Sequence, residues 1–251
     1  IRLARAVTKR NHIIAIGYHG WQDWYIGATS RNLGVPQSVS ALTHKVNFND
    51  LDELQKIFKK FKNDVAAVIM EPMNTTEPLP SYLENVKRIA HKNSSLLIFD
   101  EVITGFRFDL GGAQKYFGVK PDLAAFGKGM GNGMPISAIV GPKNLMKYME
   151  DIFFSGTFGG ETLSLVASIV TIEKMINKNV IKNLWEKGSF LQNEVNIILK
   201  NFELQNVIYL SGKPPWVFLN FNLGCVKQNR ILKTFFISQM LNQGILIQGT
   251  H

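Results

Sequence analysis

A lysine and an aspartate each follow an apolar run, and their side chains suit one kind of chemistry. Lys128 lies in the glycine-rich residues 127–133, directly after the apolar residues 124–126. Asp100 follows the apolar residues 96–99. A lysine amine forms a Schiff base with an aldehyde, and a carboxylate can keep a pyridine nitrogen protonated. An amine and a carboxylate at the ends of two buried strands are the pair that pyridoxal phosphate chemistry requires.

The glycines around Lys128 exclude the two common phosphate-binding loops. They stand at every second position of residues 127–133, whereas a dinucleotide fingerprint needs the spacing G-x-G-x-x-G. A Walker loop needs serine or threonine after its lysine, and Lys128 is followed by Gly129. Glycines here instead give the backbone room to approach a flat ligand. The alternative is a flexible surface turn, which the apolar residues before Lys128 make the less favoured interpretation.

Asp100 has two interpretations on its own residues. A buried carboxylate without a partner is costly, so it should face a cation, and a protonated pyridine would serve. Alternatively, Asp100 caps the end of its strand or pairs with Arg107. The two interpretations are evenly balanced when Asp100 is considered alone.

Short apolar runs alternate with helical patterns, and this alternation predicts an α/β fold with a mainly parallel sheet between helices. The predicted strands are residues 13–16, 65–70 and 96–99, and the predicted helices are residues 51–61, with Asn49 or Asp50 as cap, and residues 82–91. Functional groups collect at the carboxyl ends of such strands. Tyr18, Glu71, Asp100 and Lys128 all lie at or just after an apolar run.

The remaining third of the chain predicts a second, smaller domain. After a helix over residues 162–176, its patterns are a helix over 180–199, strands over 207–210 and 216–221, and a last strand over 244–251. We therefore expect a large domain over residues 1–177 and a partial small α/β domain over residues 178–251. Because no cap residue precedes the first helical pattern, we expect the sequence to be an internal piece of a longer protein.

Composition and charge exclude several classes of function. Of the 251 residues, 45% are hydrophobic and 19% are charged, as in ordinary globular proteins. The net charge of +9 is spread among acidic residues without interleaved aromatics, so we expect no nucleic acid partner. We expect no membrane span or signal peptide, no metal at His12, His44 or His91, and a cytoplasmic location. The single Cys225 is predicted to be a small core residue.

Four motifs together resemble the class III aminotransferases, and within them most closely the glutamate-1-semialdehyde aminomutase branch. They are Tyr18-His19-Gly20, the run Asp-Glu-Val-Ile-Thr-Gly-Phe-Arg at residues 100–107, Gly127-Lys128-Gly129 and Gly156-Thr157-Phe158. The resemblance covers essentially the whole chain in the family's order. It implies fold type I, pyridoxal phosphate as cofactor, a small amine or carbonyl substrate, and transfer of an amino group between them.

The resemblance also implies roles for the residues around the cofactor ring. Lys128 would form the Schiff base and move the proton between substrate and cofactor. Asp100 would hold the pyridine nitrogen protonated. Val102 would pack on one face of the ring and Tyr18 on the other.

Four further residues complete the implied site. His19 and Gly20 would shape the turn that carries the tyrosine, and Glu71 would lie at the edge of the site. Thr157 would bind the cofactor phosphate of the neighbouring subunit, which makes the active site a property of a homodimer.

The sequence departs from the family in places that bear on activity. The family's phosphate loop would precede the helix with which the sequence begins, and Gly160-Glu161-Thr162 replaces a more usual Gly-Asn-Pro. Ile103 is apolar where other branches carry glutamine, which favours the aminomutase side. Decarboxylation or racemisation with the same cofactor remains an alternative, as does a catalytically inactive, dimer-forming homologue.

Overall fold

The computed structural model describes residues 1–247 and divides the chain into two units, Ile1–Lys182 and Asn183–His251. This division falls within one long helix, and the boundary after residue 177 stays a proposal. The strands are β1 (His12–Ile16), β2 (Thr43–Lys45), β3 (Val65–Met70), β4 (Leu96–Glu101), β5 (Leu123–Phe126), β6 (Ala138–Val140), β7 (Ile208–Ser211) and β8 (Phe218–Phe221).

The helices alternate with these strands along the chain. They are α1 (Arg2–Thr8), α2 (Asp23–Ile26), α3 (Gln37–Ser40), α4 (Leu51–Lys60), α5 (Tyr82–Lys92), α6 (Gly112–Tyr116), α7 (Lys143–Met146), α8 (Thr162–Asn177), α9 (Val180–Asn201) and α10 (Val226–Asn242). Short 3₁₀ turns lie at Lys128–Met130, Lys147–Met149 and Pro214–Trp216.

A six-stranded sheet in the order β2-β1-β3-β4-β5-β6 forms the centre of the first unit. Strands β2, β1, β3, β4 and β5 are parallel, and β6 closes one edge in the antiparallel direction. A parallel pair cannot be joined by a tight turn, so helical connections cross the sheet faces between its strands. The predicted α/β fold with a mainly parallel sheet is confirmed.

Both faces of this sheet are covered, which explains why its strands are apolar at successive positions. Ile14 and Ile16 belong to the core on one face together with α4 and α5, whereas Ile13 and Ala15 belong to the core on the other face together with α1. Successive side chains of a strand point to opposite faces, so both sets must be apolar when both faces are covered.

The start of α4 distinguishes between the two predicted caps. The Asp50 carboxylate accepts a hydrogen bond from the Glu53 backbone N–H at 2.8 Å. Asn49 instead donates from its side-chain amide to the Glu77 carbonyl at 3.0 Å. Asp50 is therefore the cap, and the carboxylate lies at the positive end of the helix dipole.

The second unit contains an antiparallel pair, β7 and β8, in which Leu210 lies opposite Leu219. Helix α10 follows β8 in the chain. Within the described residues, 245–247 form no strand, so the predicted last strand is wrong there, and its residues 248–251 lie outside the described part. The predicted strand over 216–221 is shortened, because Trp216 belongs to a 3₁₀ turn.

The prediction that Cys225 is a core residue is wrong. Cys225 is exposed at the start of α10. Among the described residues, no helix has the length and apolar character needed to span a bilayer, and no cluster of His, Cys, Asp or Glu could hold a metal ion.

His12 and His44 form a contact between neighbouring strands β1 and β2. The His12 Nδ1 and His44 Nε2 atoms are 2.9 Å apart, and the His44 ring stacks on Phe61 with centroids separated by 4.1 Å. Burial lowers the pKa of His44 to about 4, and the charges of His12 and Lys60 act in the same direction. The folded protein thus disfavours a proton on His44 that the unfolded chain accepts readily.

We predict that the contact between His12 and His44 makes the folded protein less stable in mild acid. Because the pKa of His44 falls from the usual 6.5 to about 4 on folding, its contribution is complete above pH 6.5 and is lost as the pH falls toward 4. Thermal unfolding of a His44→Phe variant should show a shallower decline over this range than the wild type. The control His91→Gln should retain the wild-type slope, and an equal slope in His44→Phe would contradict the assignment.

Candidate active site

One row of residues aligns the ends of four parallel strands. Ile16 of β1 lies opposite Met70 of β3, Met70 lies opposite Phe99 of β4, and Phe99 lies opposite Ala124 of β5. The residues that follow this row therefore emerge at the same edge of the sheet. They include Tyr18, Glu71, Asp100 and Lys128, the residues that the sequence predicted to meet there.

The turn after β1 is held in an unusual backbone conformation. Gly17 has a φ of 104° and Gly20 a φ of 89°, both in the left-handed region that glycine adopts most readily. The Tyr25 hydroxyl donates to the Gly17 carbonyl at 2.7 Å. Between the two glycines, the Tyr18 side chain is 61% exposed, and its ring stands edge-on to Tyr25. The turn therefore offers a tyrosine ring at the edge of the sheet.

Glu71 fastens this turn to the end of β3. Its Oε2 atom accepts hydrogen bonds from the Tyr18 backbone N–H at 3.1 Å and from the Asn74 side-chain amide at 2.7 Å. Burial raises the pKa of the Glu71 carboxyl, and these two hydrogen bonds oppose that shift. A Cβ atom on Gly17 would lie only 2.6 Å from the same oxygen. Glu71 thus lies at the same edge of the sheet as Tyr18 and orients the tyrosine turn.

Asp100 has His19 as its partner. The His19 Nδ1 and Asp100 Oδ2 atoms are 2.8 Å apart, with the His19 side chain 1% exposed and that of Asp100 16% exposed. The other ring nitrogen, Nε2, faces the Ile16 carbonyl at 3.2 Å, and Asp100 Oδ1 accepts from the Val102 backbone N–H at 3.2 Å. The carboxylate is therefore held on both oxygens, and its side chain remains partly exposed.

The segments that follow β4 and β5 pack closely together. A Cβ atom on Gly127 would contact Val102 Cγ1 at 3.5 Å, so the valine side chain lies directly beside this glycine. A Cβ atom on Gly105 would lie 2.5 Å from the Phe126 ring, closer than any side chain permits. The glycines at 105 and 127 thus allow the two segments to approach each other. The predicted role of residues 127–133, room for a flat ligand, stays a prediction.

Lys128 follows β5 in a strained conformation. Its φ is 40°, which costs a residue with a side chain roughly 1–2 kcal/mol relative to an ordinary helical or extended state. The residue is exposed, and its backbone carbonyl accepts from the Asn132 N–H at 3.0 Å. In the adjacent register, Asp100 lies opposite Ala125, three positions before this lysine. An accessible lysine therefore follows the strand that pairs with the strand of the partly exposed Asp100.

Thr157 lies outside the sheet, five residues before α8 begins. It belongs to an exposed segment before α8, and the helix is capped by Glu161, whose carboxylate accepts from the Leu163 and Ser164 N–H groups at 2.7 Å. Thr157 therefore does not cap α8, because the chain makes a further turn before the helix begins at Thr162, where the sequence predicted it. Within the described residues, no hydrogen bond joins Thr157 to Asp100 or Lys128.

Two contributors were not predicted from the sequence. Asn74, which binds Glu71, follows β3 without any distinguishing pattern. Glu101 is fully buried beside Asp100 in β4, although an acidic residue at the end of an apolar run was a visible signal. Contacts made through loops of variable path leave no spacing in the sequence, and this is why Asn74 was missed.

We predict that Gly17→Ala disturbs the site more than Gly20→Ala. Both positions have positive φ, so each alanine should cost roughly 1–2 kcal/mol of unfolding free energy. Only at Gly17 does the new Cβ meet the Glu71 carboxylate, whereas nothing lies within 4 Å at Gly20. Denaturant unfolding should therefore show an additional loss of about 1–3 kcal/mol for Gly17→Ala. Equal losses in the two variants would mean that Glu71 moves freely.

Comparison with known proteins agrees with this geometry. The family model described as aminotransferase class-III matches residues 1–251. A 3-aminobutyryl-CoA aminotransferase of Cloacimonas acidaminovorans (strain Evry) is 35% identical over 258 residues, covering 100% of this chain and 61% of that protein. A glutamate-1-semialdehyde 2,1-aminomutase of Francisella tularensis (strain WY96-3418) is 34% identical over 275 residues, covering 98% of this chain and 63% of that protein.

Solved structures share the fold. An omega-transaminase from Sphaerobacter thermophilus superimposes with a TM-score of 0.88 at 25% identity, covering 98% of this chain and 64% of that one. A glutamate-1-semialdehyde-aminomutase from Pseudomonas aeruginosa PAO1, in complex with PMP, gives a TM-score of 0.83 at 22% identity, covering 98% and 61%. The chain spans less than two thirds of the length of the relatives it matches. The mainly parallel sheet, covered on both faces, and the cluster at its edge agree with these comparisons. The chain belongs to the class-III aminotransferase family and has the type I fold of these enzymes.

Proposed function

We propose that this chain carries the pyridoxal phosphate site of an enzyme that moves an amino group between an amine and a carbonyl. The observation that carries the proposal is the position of Asp100 and Lys128 at the ends of two neighbouring parallel strands: Asp100 lies in β4 opposite Ala125 of β5, and Lys128 follows β5 directly. A carboxylate for a ring nitrogen and an amine for an aldehyde thus stand at the same edge of the sheet.

The residues at this edge fit the cofactor. A planar ring needs flat or branched apolar contacts and a backbone without obstruction, and Tyr18, Val102 and Gly127 offer these. Asp100 keeps an exposed fraction of 16% on its side chain, so a ring nitrogen can reach it. When bound, the cofactor would supply an electron-accepting ring for the carbon that gains or loses the amino group.

Lys128 would anchor the cofactor and move the proton. Its amine is accessible, as covalent attachment to an aldehyde requires. The same amine would act as the general base and acid at the substrate carbon. The left-handed backbone conformation of Lys128, with a φ of 40°, sets the direction in which its side chain leaves the backbone.

His19 and Asp100 would hold the proton of the ring nitrogen. A carboxylate at contact distance favours the protonated nitrogen, because an opposite charge stabilises the charged form. The His19 ring fixes the orientation of Asp100 through the 2.8 Å contact, and Trp24 stacks on His19 with centroids 6.2 Å apart. His19 would therefore support the cofactor indirectly, by orienting Asp100, while Gly20 would shape the turn and Glu71 would orient Tyr18.

The relatives support amino-group transfer over the alternatives. One is named for an aminotransferase reaction and the other for an aminomutase reaction, and both reactions relocate an amino group. No observation in the site favours decarboxylation or racemisation. We propose a small amine or carbonyl compound as substrate and, from the single cysteine of the chain, a reducing cytoplasm as location.

We further propose that the protein acts as a homodimer in which Thr157 binds the partner's cofactor phosphate. The support is an apolar surface that continues from the threonine segment onto α8. Phe158 is 74% exposed, Leu163 68% and Ile169 57%, whereas the buried residues of α8 are Ser164 and Ser168. A helix that shows its apolar side chains to solvent needs a partner surface, and a second copy would cover it.

We predict that Lys128→Ala abolishes both covalent attachment and amino transfer. Borohydride reduction of the wild type with pyridoxal phosphate should leave a cofactor adduct on the peptide that contains Lys128, measured by mass spectrometry. The fold should persist, because the lysine is exposed. Lys120→Ala, at the opposite end of β5, is the control and should keep the adduct. An adduct on another lysine, with full turnover in Lys128→Ala, would refute the assignment.

We predict that mixing Lys128→Ala with Thr157→Ala protein restores activity. If Thr157 acts across the interface, the mixed dimer has one site with an intact lysine and an intact threonine from the partner. Turnover after subunit exchange should then rise well above that of either variant alone. In a control mixture, Ser155→Ala takes the place of Thr157→Ala, and this tests the loss of a nearby hydroxyl. Mixtures no more active than their components would show that each subunit uses its own threonine.

A further inference from the structure

Two carboxylates end β4, and they have opposite surroundings. Asp100 faces the proposed cofactor site, whereas the next residue, Glu101, is 0% exposed. Successive side chains of a strand point to opposite faces, so Glu101 is turned away from the site. A fully buried carboxylate is costly unless hydrogen bonds compensate it. The hydrogen-bond donors to Glu101 therefore show which segments of the chain it holds in place.

Glu101 accepts four hydrogen bonds from two places in the chain. Its Oε2 atom accepts from the Thr104 hydroxyl at 2.8 Å and from the Ala113 N–H at 2.7 Å. Its Oε1 atom accepts from the Gln114 N–H at 2.9 Å and from the Gln114 side-chain amide at 3.3 Å. All four donors point at oxygen, which suits the acceptor-only form of a carboxyl group. Glu101 thus ties both ends of the loop over residues 102–112 back to β4.

The approach of the loop to this carboxylate leaves no room for adjustment. Gly112 has a φ of 78°, and a Cβ atom there would lie 2.7 Å from Glu101 Oε2. At the other end, the Gly105 N–H donates to the Glu101 carbonyl at 2.8 Å. Both the side chain and the backbone of Glu101 therefore fix the loop that begins with Val102.

This loop is the wall against which the lysine segment packs. Val102 lies beside Gly127, and Gly105 lies so close to the Phe126 ring that only glycine fits. A Cβ atom on Gly129 would lie 3.7 Å from the Gly105 carbonyl oxygen. Loosening the loop would move Val102 and release the residues on both sides of Lys128.

We propose that Glu101 is a positioning residue for the cofactor site, which holds Val102 and the Lys128 segment in place through the loop. This inference rests on the proposed function and deepens it. The alternative is that Glu101 serves only to cap the short helix α6, through the Ala113 and Gln114 N–H groups. The two roles separate because Thr104 belongs to the loop that carries Val102, whereas Gln114 belongs to α6.

The test compares Glu101→Gln, Thr104→Val and Gln114→Met. Glu101→Gln keeps the size but turns an NH₂ group toward N–H donors, and each of the other two variants removes one side-chain donor. Amide hydrogen exchange of the cofactor-free protein reports on the loop, and titration with pyridoxal phosphate reports on the site. We expect Glu101→Gln to speed exchange at Gly105 and to weaken cofactor affinity about tenfold or more. Thr104→Val should do the same to a smaller extent, and Gln114→Met should change neither.

The outcomes separate this inference from the proposed function. Unchanged exchange at Gly105 and unchanged cofactor affinity in Glu101→Gln, with only a lower melting temperature, would reduce Glu101 to a helix cap. If Glu101→Gln does not fold, equal behaviour of Thr104→Val and Gln114→Met would overturn the inference. A wild type that binds no pyridoxal phosphate would overturn the proposed function, while exchange at Gly105 would still decide whether Glu101 holds the loop.

Discussion

The parallel register of the sheet is the constraint on which the site depends. Ile16, Met70, Phe99 and Ala124 lie side by side across four strands, so the segments that leave these strands emerge together. A slip of one residue in any pairing would turn every side chain of that strand to the opposite face. Because both faces of the sheet are packed with different helices, such a slip is costly. The two cores thus fix the register, and the register brings the functional residues together.

Buried carboxylates then fix the orientation of the segments that leave the aligned strand ends. Glu71 binds the turn after β1, and Glu101 binds the loop after β4. Each carboxylate is compensated by N–H or O–H donors from the segment that it orients, so its burial is tolerated. Asp100 differs from both, because it keeps part of its surface exposed beside His19. The exposed carboxylate is the one available to a ligand, whereas the buried ones position the backbone around it.

The exposed apolar side chains of α8 connect the fold to the proposed dimer. Exposure of the apolar side chains of α8 to water is unfavourable, and the two buried residues of this helix are both serines. Its position directly after the threonine segment links the surface that needs covering to the residue proposed to act on the partner's cofactor. One packing requirement would therefore serve both stability and catalysis.

The sequence by itself determined the class of fold and most of the cluster. Uninterrupted apolar runs over β3 and over residues 96–99 of β4 required a sheet covered on both faces, and polar residues after each run marked the edge where chemistry occurs. These are local patterns, and local patterns can be recognised in a sequence.

Only the tertiary structure decided that His19 is the partner of Asp100, that Asp50 caps α4, and that Glu161 caps α8. It also showed that Cys225 is exposed and that residues 245–247 form no strand. Each of these depends on which groups the packed chain brings within hydrogen-bonding distance, and residues 81 positions apart, such as His19 and Asp100, carry no sign of their contact in their spacing.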